Sequence, residues 1–290
     1  MTDTQRPDAD PATIHRPTIR RPTIGVFDSG VGGLTVLRAL LHRIPEADYL
    51  YFGDTARLPY GSKSAATVAH YALGAIQHLQ AQGAELLVIA CNTATALAFD
   101  EIKAASQVPT VGVVEPGAEA AAKASRNHRV VVIGTEATVA SHAYRRALEA
   151  RDVTVAEKAC PLFVPLVEEG WVDHPVTEQV ARIYLDEAFA GDAQQSDVLV
   201  LGCTHYPLLR PMLSRIAPAH VAIVDSAEST AHDVARRLQG EPLAAPTEPE
   251  RRSAPRLKFF ATDSAEKFRK MGSRFLGLPV EDVVHVDLKE

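Results

Sequence analysis

Apolar positions along this chain follow two rhythms. Short β-rich runs occupy residues 23–28 (TIGVFD), 48–53 (DYLYFG), 86–90 (LLVIA), 110–114 (TVGVV), 129–134 (RVVVIG), 198–202 (VLVLG), 221–225 (VAIVD), 257–262 (LKFFAT) and 283–287 (VVHVD), and each predicts a strand. Between most of them lie stretches of helical length rich in Ala, Leu, Arg and Glu, such as SAATVAHYALGAIQHLQAQG and TVASHAYRRALEAR. This alternation predicts an α/β fold of parallel sheets covered by helices on both faces. Nine strands fit two modest sheets better than one. No short fixed period marks a solenoid, yet one unit occurs twice: a strand, a cysteine, then a helix, at Cys91 and at Cys203.

Two segments fall outside the rhythm. Residues 1 to about 22 are dominated by Pro, Asp, Thr and Arg and predict a disordered tail. Residues 239–255, QGEPLAAPTEPERRSAP, predict a proline-rich surface loop. The remainder, from a chain of 290 residues that is 46% apolar, suffices for two domains of ordinary size or one large one.

Charge and cysteine usage narrow the function classes. A net charge of −6 and a pI near 6.0 leave no basic surplus to track a nucleic-acid backbone, so a small molecule is the expected partner. The N-terminus lacks the apolar core of a signal peptide, and no segment approaches about 18 apolar residues, so the expectation is a soluble, cytoplasmic protein without a membrane span. Three cysteines make no disulfide framework, and neither C-x-x-C nor H-E-x-x-H spacing is present, so no metal site is expected.

In parallel sheets the ligand crevice lies at the strand C-termini, where helix N-termini offer free N–H groups. Five stretches map there: VFDSGVGGLTVL, YFGDTARLPYGSKS, VIACNTATAL, VIGTEATVAS and VLGCTHYPLL. Their small hydroxyls, amides and glycines suit a compact anion such as a carboxylate. Asp28 with Ser29 ends the first strand, and Gly30, Gly32 and Gly33 carry the turn; the ordinary alternative is a glycine turn capped by Asp. It is neither a Walker loop nor G-x-G-x-x-G.

A free cysteine is usually a small buried hydrophobe. Cys91 and Cys203, however, both end strands, precede polar residues and open helices, a setting that exposes sulfur to ligand and tunes its acidity. Cys160, in VAEKACPLFV, lacks such neighbours and reads as structural. His205 could be one structural histidine among eleven, or could exchange a proton with the Cys203 thiol. Glu168 and Glu169 read most simply as solvated helix-end charges. A matched pair of thiols suits one chemistry in particular. Inversion at a carbon bearing an acidic proton needs an acid/base group on each face, and two cysteines alternating as thiolate and thiol supply them.

GVFDSGVGGLTVLR, YFGDTARLPYGSKS, CNTATA, VVEPG, VIGTEATV and LGCTHYPLL together resemble the glutamate racemases of the aspartate/glutamate racemase family, over roughly residues 23–290. CTHYPLL separates them from the similar aspartate racemases. The resemblance implies cofactor-independent racemisation of glutamate that supplies D-glutamate for peptidoglycan. It implies two pseudo-symmetric three-layer α/β domains, 23–115 plus 225–290 and 116–224, with the site in the cleft between them. It implies Cys91 and Cys203 as proton-transfer residues, acting on the D- and L-enantiomer respectively. Asp28 would assist Cys91, and His205 with Glu168 would assist Cys203, although Glu169 is adjacent. Ser29, Tyr60, Gly61, Asn92, Thr93, Thr135, Thr138 and Thr204, with Asp28 and His205, would bind substrate. Family members are often dimers, and a homodimer is expected here. No lysine sits where a Schiff base would form; Lys258, flanked by apolar strand residues, reads as structural. Three alternatives stay open: racemisation of aspartate or another acidic amino acid, a non-catalytic amino-acid sensor, and a cysteine hydrolase that uses Cys203 with His205 and leaves Cys91 unexplained.

Overall fold

A computed structural model describes residues 21–240 and 254–288. The predicted tail, except for its last two residues, and most of the proline-rich loop lie outside the described residues. Within them the chain forms strands β1 (Thr23–Asp28), β2 (Asp48–Gly53), β3 (Leu86–Ile89), β4 (Thr110–Gly112), β5 (Arg129–Gly134), β6 (Thr154–Ala159), β7 (Val198–Gly202), β8 (Ala222–Asp225), β9 (Leu257–Ala261) and β10 (Val283–His285). They build a six-stranded sheet of order β10-β9-β2-β1-β3-β4 and a four-stranded sheet of order β6-β5-β7-β8. All the strand pairings are parallel, as the near-continuous apolar runs require.

The period-two geometry of strands decides where the core sits. Ile24 and Val26 of β1, Tyr49 and Tyr51 of β2, and Leu86 and Val88 of β3 join one cluster, while Phe27, Leu50, Phe52, Leu87 and Ile89 point into another. In the smaller sheet Val131, Ile133, Leu199 and Leu201 join that first cluster, and Val130, Val132, Val198 and Val200 a third. One apolar core is therefore continuous between the sheets, and each sheet has a second core on its far face.

Strand order also fixes the crevices. From β1 the chain crosses to β2 on one side, and β3 lies on the other; from β5 it crosses to β6, and β7 lies opposite. Each sheet thus has one topological switch point, at the C-terminal ends of β1 and β3 and of β5 and β7, where α/β proteins bind ligands.

Three expectations need correction. Residues 154–159, TVAEKA, form a strand that the apolar pattern did not predict, because β6 is a sheet edge and carries Glu157 and Lys158. The helix expected over TVASHAYRRALEAR is two helices, Glu136–Ala140 and Ala143–Glu149, separated where His142 adopts a left-handed conformation (φ 54°). Ser141 stabilises that break: its hydroxyl donates to Thr138 O at 2.7 Å and accepts from Ala143 N at 3.2 Å. The strand expected over 110–114 ends at Gly112, because the helix Val114–Ala124 starts there with Pro116 in its first turn.

The start of the smaller sheet is tied by Asp197, whose carboxylate accepts from Ser125 Oγ (2.6 Å), Arg126 N (2.7 Å) and Asn127 N (3.3 Å). Burial would raise its pKa, but these donors win and hold it below the ordinary value. Asp197→Ala is expected to lower unfolding stability in urea by roughly 1–3 kcal/mol near neutral pH, because three donors lose their acceptor. The gap between the wild type and this variant should narrow as pH falls through the depressed carboxyl pKa; a gap that does not change with pH would show that the charge is irrelevant.

Candidate active site

At the larger sheet's switch point, β1 ends in Asp28 and β3 leads into Cys91. Asp28 is buried; its Oδ2 accepts from Gly30 N at 2.9 Å, and its Oδ1 is buried with no partner. Burial pushes its carboxyl up, only partly offset by the backbone of Gly33, the charge of His205 and the backbone of Gly30 and Ser29. Asp28 does not cap the following helix Leu34–Arg43, which begins after Gly33 without a side-chain cap. Gly33 is required for a different reason: a Cβ there would stand 2.5 Å from the Asp28 Cβ.

Cys91 is itself a helix cap. Its sulfur accepts from Ala94 N at 3.4 Å at the head of the helix Asn92–Ala105, and its S–H donates to Ser29 Oγ at 3.5 Å. Burial, reinforced by the negative charge of Asp28, pushes the thiol up to about 12. At neutral pH Cys91 holds its proton.

The smaller sheet's switch point repeats the plan with different electrostatics. Cys203 follows β7, and its sulfur lies 4.0 Å from His205 Nδ1. The other ring nitrogen, Nε2, is 3.1 Å from Glu168 Oε1 at the end of the helix Phe163–Glu168. Glu168, rather than its neighbour Glu169, makes this contact. Burial alone would favour neutral imidazole, but the hydrogen bonds and charges of Cys203 and Glu168 override it and raise His205 to about 10. One thiol therefore sits near a buried carboxyl, and the other beside an imidazolium.

Both thiols line a single cavity of about 420 Å³, together with Ser29, Thr93, Thr135 and Thr204. A larger groove of about 650 Å³ lies along helix Asn92–Ala105 and reaches Arg237, but neither thiol lines it. Hydroxyls cluster on one wall: Thr93 Oγ1 is 3.1 Å from Thr135 Oγ1 and 3.4 Å from Thr138 Oγ1, and the last two are 2.9 Å apart. Thr135 also caps its helix by accepting from Thr138 N. Asp28 and Thr138 do not line the cavity; they stand behind residues that do. Gly61 faces Thr135 across the cavity wall, where a Cβ would come into van der Waals contact with the Thr135 Cβ at 3.4 Å.

Tyr60 reaches the cavity, but its hydroxyl donates to Asp54 Oδ2 at 2.6 Å. Burial and that carboxylate keep the phenol protonated far above its ordinary range. Asp54, fully buried, also accepts from Thr262 Oγ1 (2.8 Å) and Arg57 Nη1 (3.0 Å), which fixes the loop that walls the site. Sequence reasoning passed over Asp54, although its place directly after β2 was a usable signal. Thr35 gave no signal at all; its hydroxyl lies 2.9 Å from Gly32 O and 3.0 Å from Thr204 O, so it ties the two halves together.

A model of the Asp/Glu/Hydantoin racemase family matches residues 29–234. The glutamate racemase of Koribacter versatilis (strain Ellin345) is 60% identical across 93% of this chain and 98% of its own length. The chain belongs to the glutamate racemase family. The glutamate racemase from Thermus thermophilus, solved in complex with beta-chloro-D-alanine, superposes with a TM-score of 0.82 at 46% identity, covering 93% of this chain and 98% of that one. That from Francisella tularensis subsp. tularensis SCHU S4, solved with D-glutamate, gives 0.82 at 35% identity over the same shares. In this racemase the two cysteine-bearing turns thus stand in a fold shared with solved glutamate racemases.

The proton on His205 is held more tightly in the folded chain than the ordinary value of 6.5 would allow. Its pairing therefore contributes full stability below about pH 6.5, and loses it as pH rises through about 10. In Glu168→Gln the imidazolium loses its carboxylate, so ring-labelled NMR should find His205 titrating below about 10. An unmoved titration would mean that Glu168 does not hold the charge.

Proposed function

We propose that this racemase interconverts L- and D-glutamate by proton transfer between two thiols, without a cofactor. The observation that carries the reading is the placement of Cys91 and Cys203 at equivalent switch points of two sheets, lining one cavity. A thiolate takes the α-proton and becomes a thiol, and the opposite thiol gives its proton to the other face of the carbanion and becomes a thiolate. Backbone N–H groups at the helix starts and the hydroxyls of Ser29, Thr93, Thr135 and Thr204 hold the two carboxylates. Cys91, carrying its proton, is set to act as acid toward one face, which leaves the role of base on the other face to Cys203. That resting arrangement matches abstraction from the L-enantiomer, the face the family resemblance gives to Cys203. Asp28 would assist Cys91, and His205 with Glu168 would assist Cys203.

The same reading assigns substrate contacts to Tyr60, Gly61, Asn92 and Thr138. Because the Tyr60 hydroxyl is held by Asp54, that residue's contribution falls to its ring and backbone. A relative solved with D-glutamate supports glutamate over aspartate as substrate. We further propose a cytoplasmic homodimer supplying D-glutamate for peptidoglycan, with domains 23–115 plus 225–290 and 116–224. Among the described residues no helix is long and apolar enough to cross a membrane.

The test is proton NMR of the protein with L-glutamate, and separately L-aspartate, in deuterated buffer free of pyridoxal phosphate, with chiral analysis of the product. Loss of the α-proton signal and appearance of D-glutamate are expected. No exchange with either amino acid in folded protein would move the reading to a sensor or a hydrolase. Cys91→Ser should lower racemisation by at least about 100-fold, the scale of one lost acid/base group, while still permitting one-sided exchange of the L-glutamate α-proton. Full activity in that variant would refute the assignment.

A further inference from the structure

Tyr144 is completely buried and touches the neighbourhood of both thiols. Its hydroxyl donates to Asn92 Oδ1 at 2.7 Å, and Asn92 is the residue after Cys91. Its ring lies against Gly202, the residue before Cys203: a Cβ on Gly202 would stand 3.1 Å from Tyr144 Cε2. Gly117 leaves room on another side, where a Cβ would lie 3.2 Å from Cε1 and from the hydroxyl oxygen. Tyr144 belongs to the helix Ala143–Glu149 between β5 and β6, so it starts from the smaller sheet and reaches across to the larger.

The amide of Asn92 is held at both ends. Its Nδ2 donates to Ser226 Oγ at 3.2 Å, just beyond β8. Burial pushes the Tyr144 phenol up, so it stays protonated and donates, which fixes the amide oxygen as the end that faces it. Sequence reasoning gave Tyr144 no role, and none of its contacts touches the cavity lining directly except through Asn92.

We infer that Tyr144 is a positioning residue of the racemisation, setting the separation of the Cys91 and Cys203 turns through its bond to Asn92 and its packing on Gly202. This rests on the two-thiol reading. Proton transfer from each face requires both sulfurs within reach of one α-carbon, and displacement of a reacting group by about 1 Å can cost on the order of 100-fold in rate. A ring wedged against one turn and hydrogen-bonded to the other defines that distance. Because Tyr144 does not touch substrate, its loss should disturb transfer more than binding.

Tyr144→Phe keeps the ring and removes the O–H. We expect kcat to fall on the order of 10-fold in both directions, with KM for each enantiomer within about twofold, and the primary isotope effect on kcat with α-deuterated glutamate to rise as proton transfer becomes slower. A purely structural role would reduce the folded fraction and leave KM and the isotope effect unchanged. Wild-type kcat, or a loss matching only the folded fraction by circular dichroism with an unchanged isotope effect, would overturn the inference. Ser226→Ala frees the far end of the same amide and should give a smaller change of the same kind. It decides the matter if Tyr144→Phe does not fold, and wild-type kcat and isotope effect would then overturn the inference. Cys91→Ser and Cys203→Ser, assayed alongside, separate the two failures. Activity surviving in them sinks the two-thiol reading and this inference with it, whereas their inactivity beside an unchanged Tyr144→Phe sinks the positioning role alone.

Discussion

The turn after β1 approaches the turn after β7 so closely that position 32 has no room for a side chain. A Cβ on Gly32 would stand 2.5 Å from His205 Nδ1 and closer still to Thr204 Oγ1. Thr35, three residues on, is hydrogen-bonded to Thr204 O across the same gap. The site is made of small residues because only they permit this approach: glycines where backbones meet, and serines and threonines where a polar atom is needed. Behind the gap the shared apolar core resists separation of the sheets, since parting them would expose Val26, Tyr51, Ile133 and Leu201 together. Polar precision at the cleft therefore depends on apolar continuity beneath it.

Near-symmetric scaffolding here carries asymmetric electrostatics. Both cysteines follow the second central strand of their sheet, but Cys91 feels the charge of a buried carboxyl, Asp28, whose Oδ1 has no hydrogen-bond partner, while Cys203 lies beside a histidine already braced by Glu168. Enantiomers have equal free energy in water, so this asymmetry cannot change the ratio of kcat/KM in the two directions. It can only set which protonation state waits for substrate, and hence how kcat and KM are divided in each direction.

Most of the fold was legible because parallel strands buried on both faces leave unbroken apolar runs, and nine of the ten strands among the described residues follow from that signal. The exception, β6, is an edge whose Glu157 and Lys158 obey surface rules. The break at His142 escaped notice because Ser141 and His142 interrupt no apolar rhythm; the helix ends through side-chain hydrogen bonding that composition does not reveal. At the site, the thiols and their polar followers stood out because strand ends are where chemistry collects. Their supports did not. Thr35 and Tyr144 act across the fold, on partners 169 and 52 residues away, and no local pattern encodes such pairs.

The pairing of β2 with β9 has a consequence for how the chain is made. Asp48 receives its hydrogen bonds from Arg256, 208 residues later, and Tyr49 lies in register with Leu257. The four strands of the smaller sheet are all encoded between residues 129 and 225, so that sheet can close on a nascent chain while the larger one still presents β2 as an open edge. The half of the cleft built around Cys203 is thus available before the half built around Cys91 has its full sheet, and the ribosome delivers the two matched thiols into unequally finished surroundings.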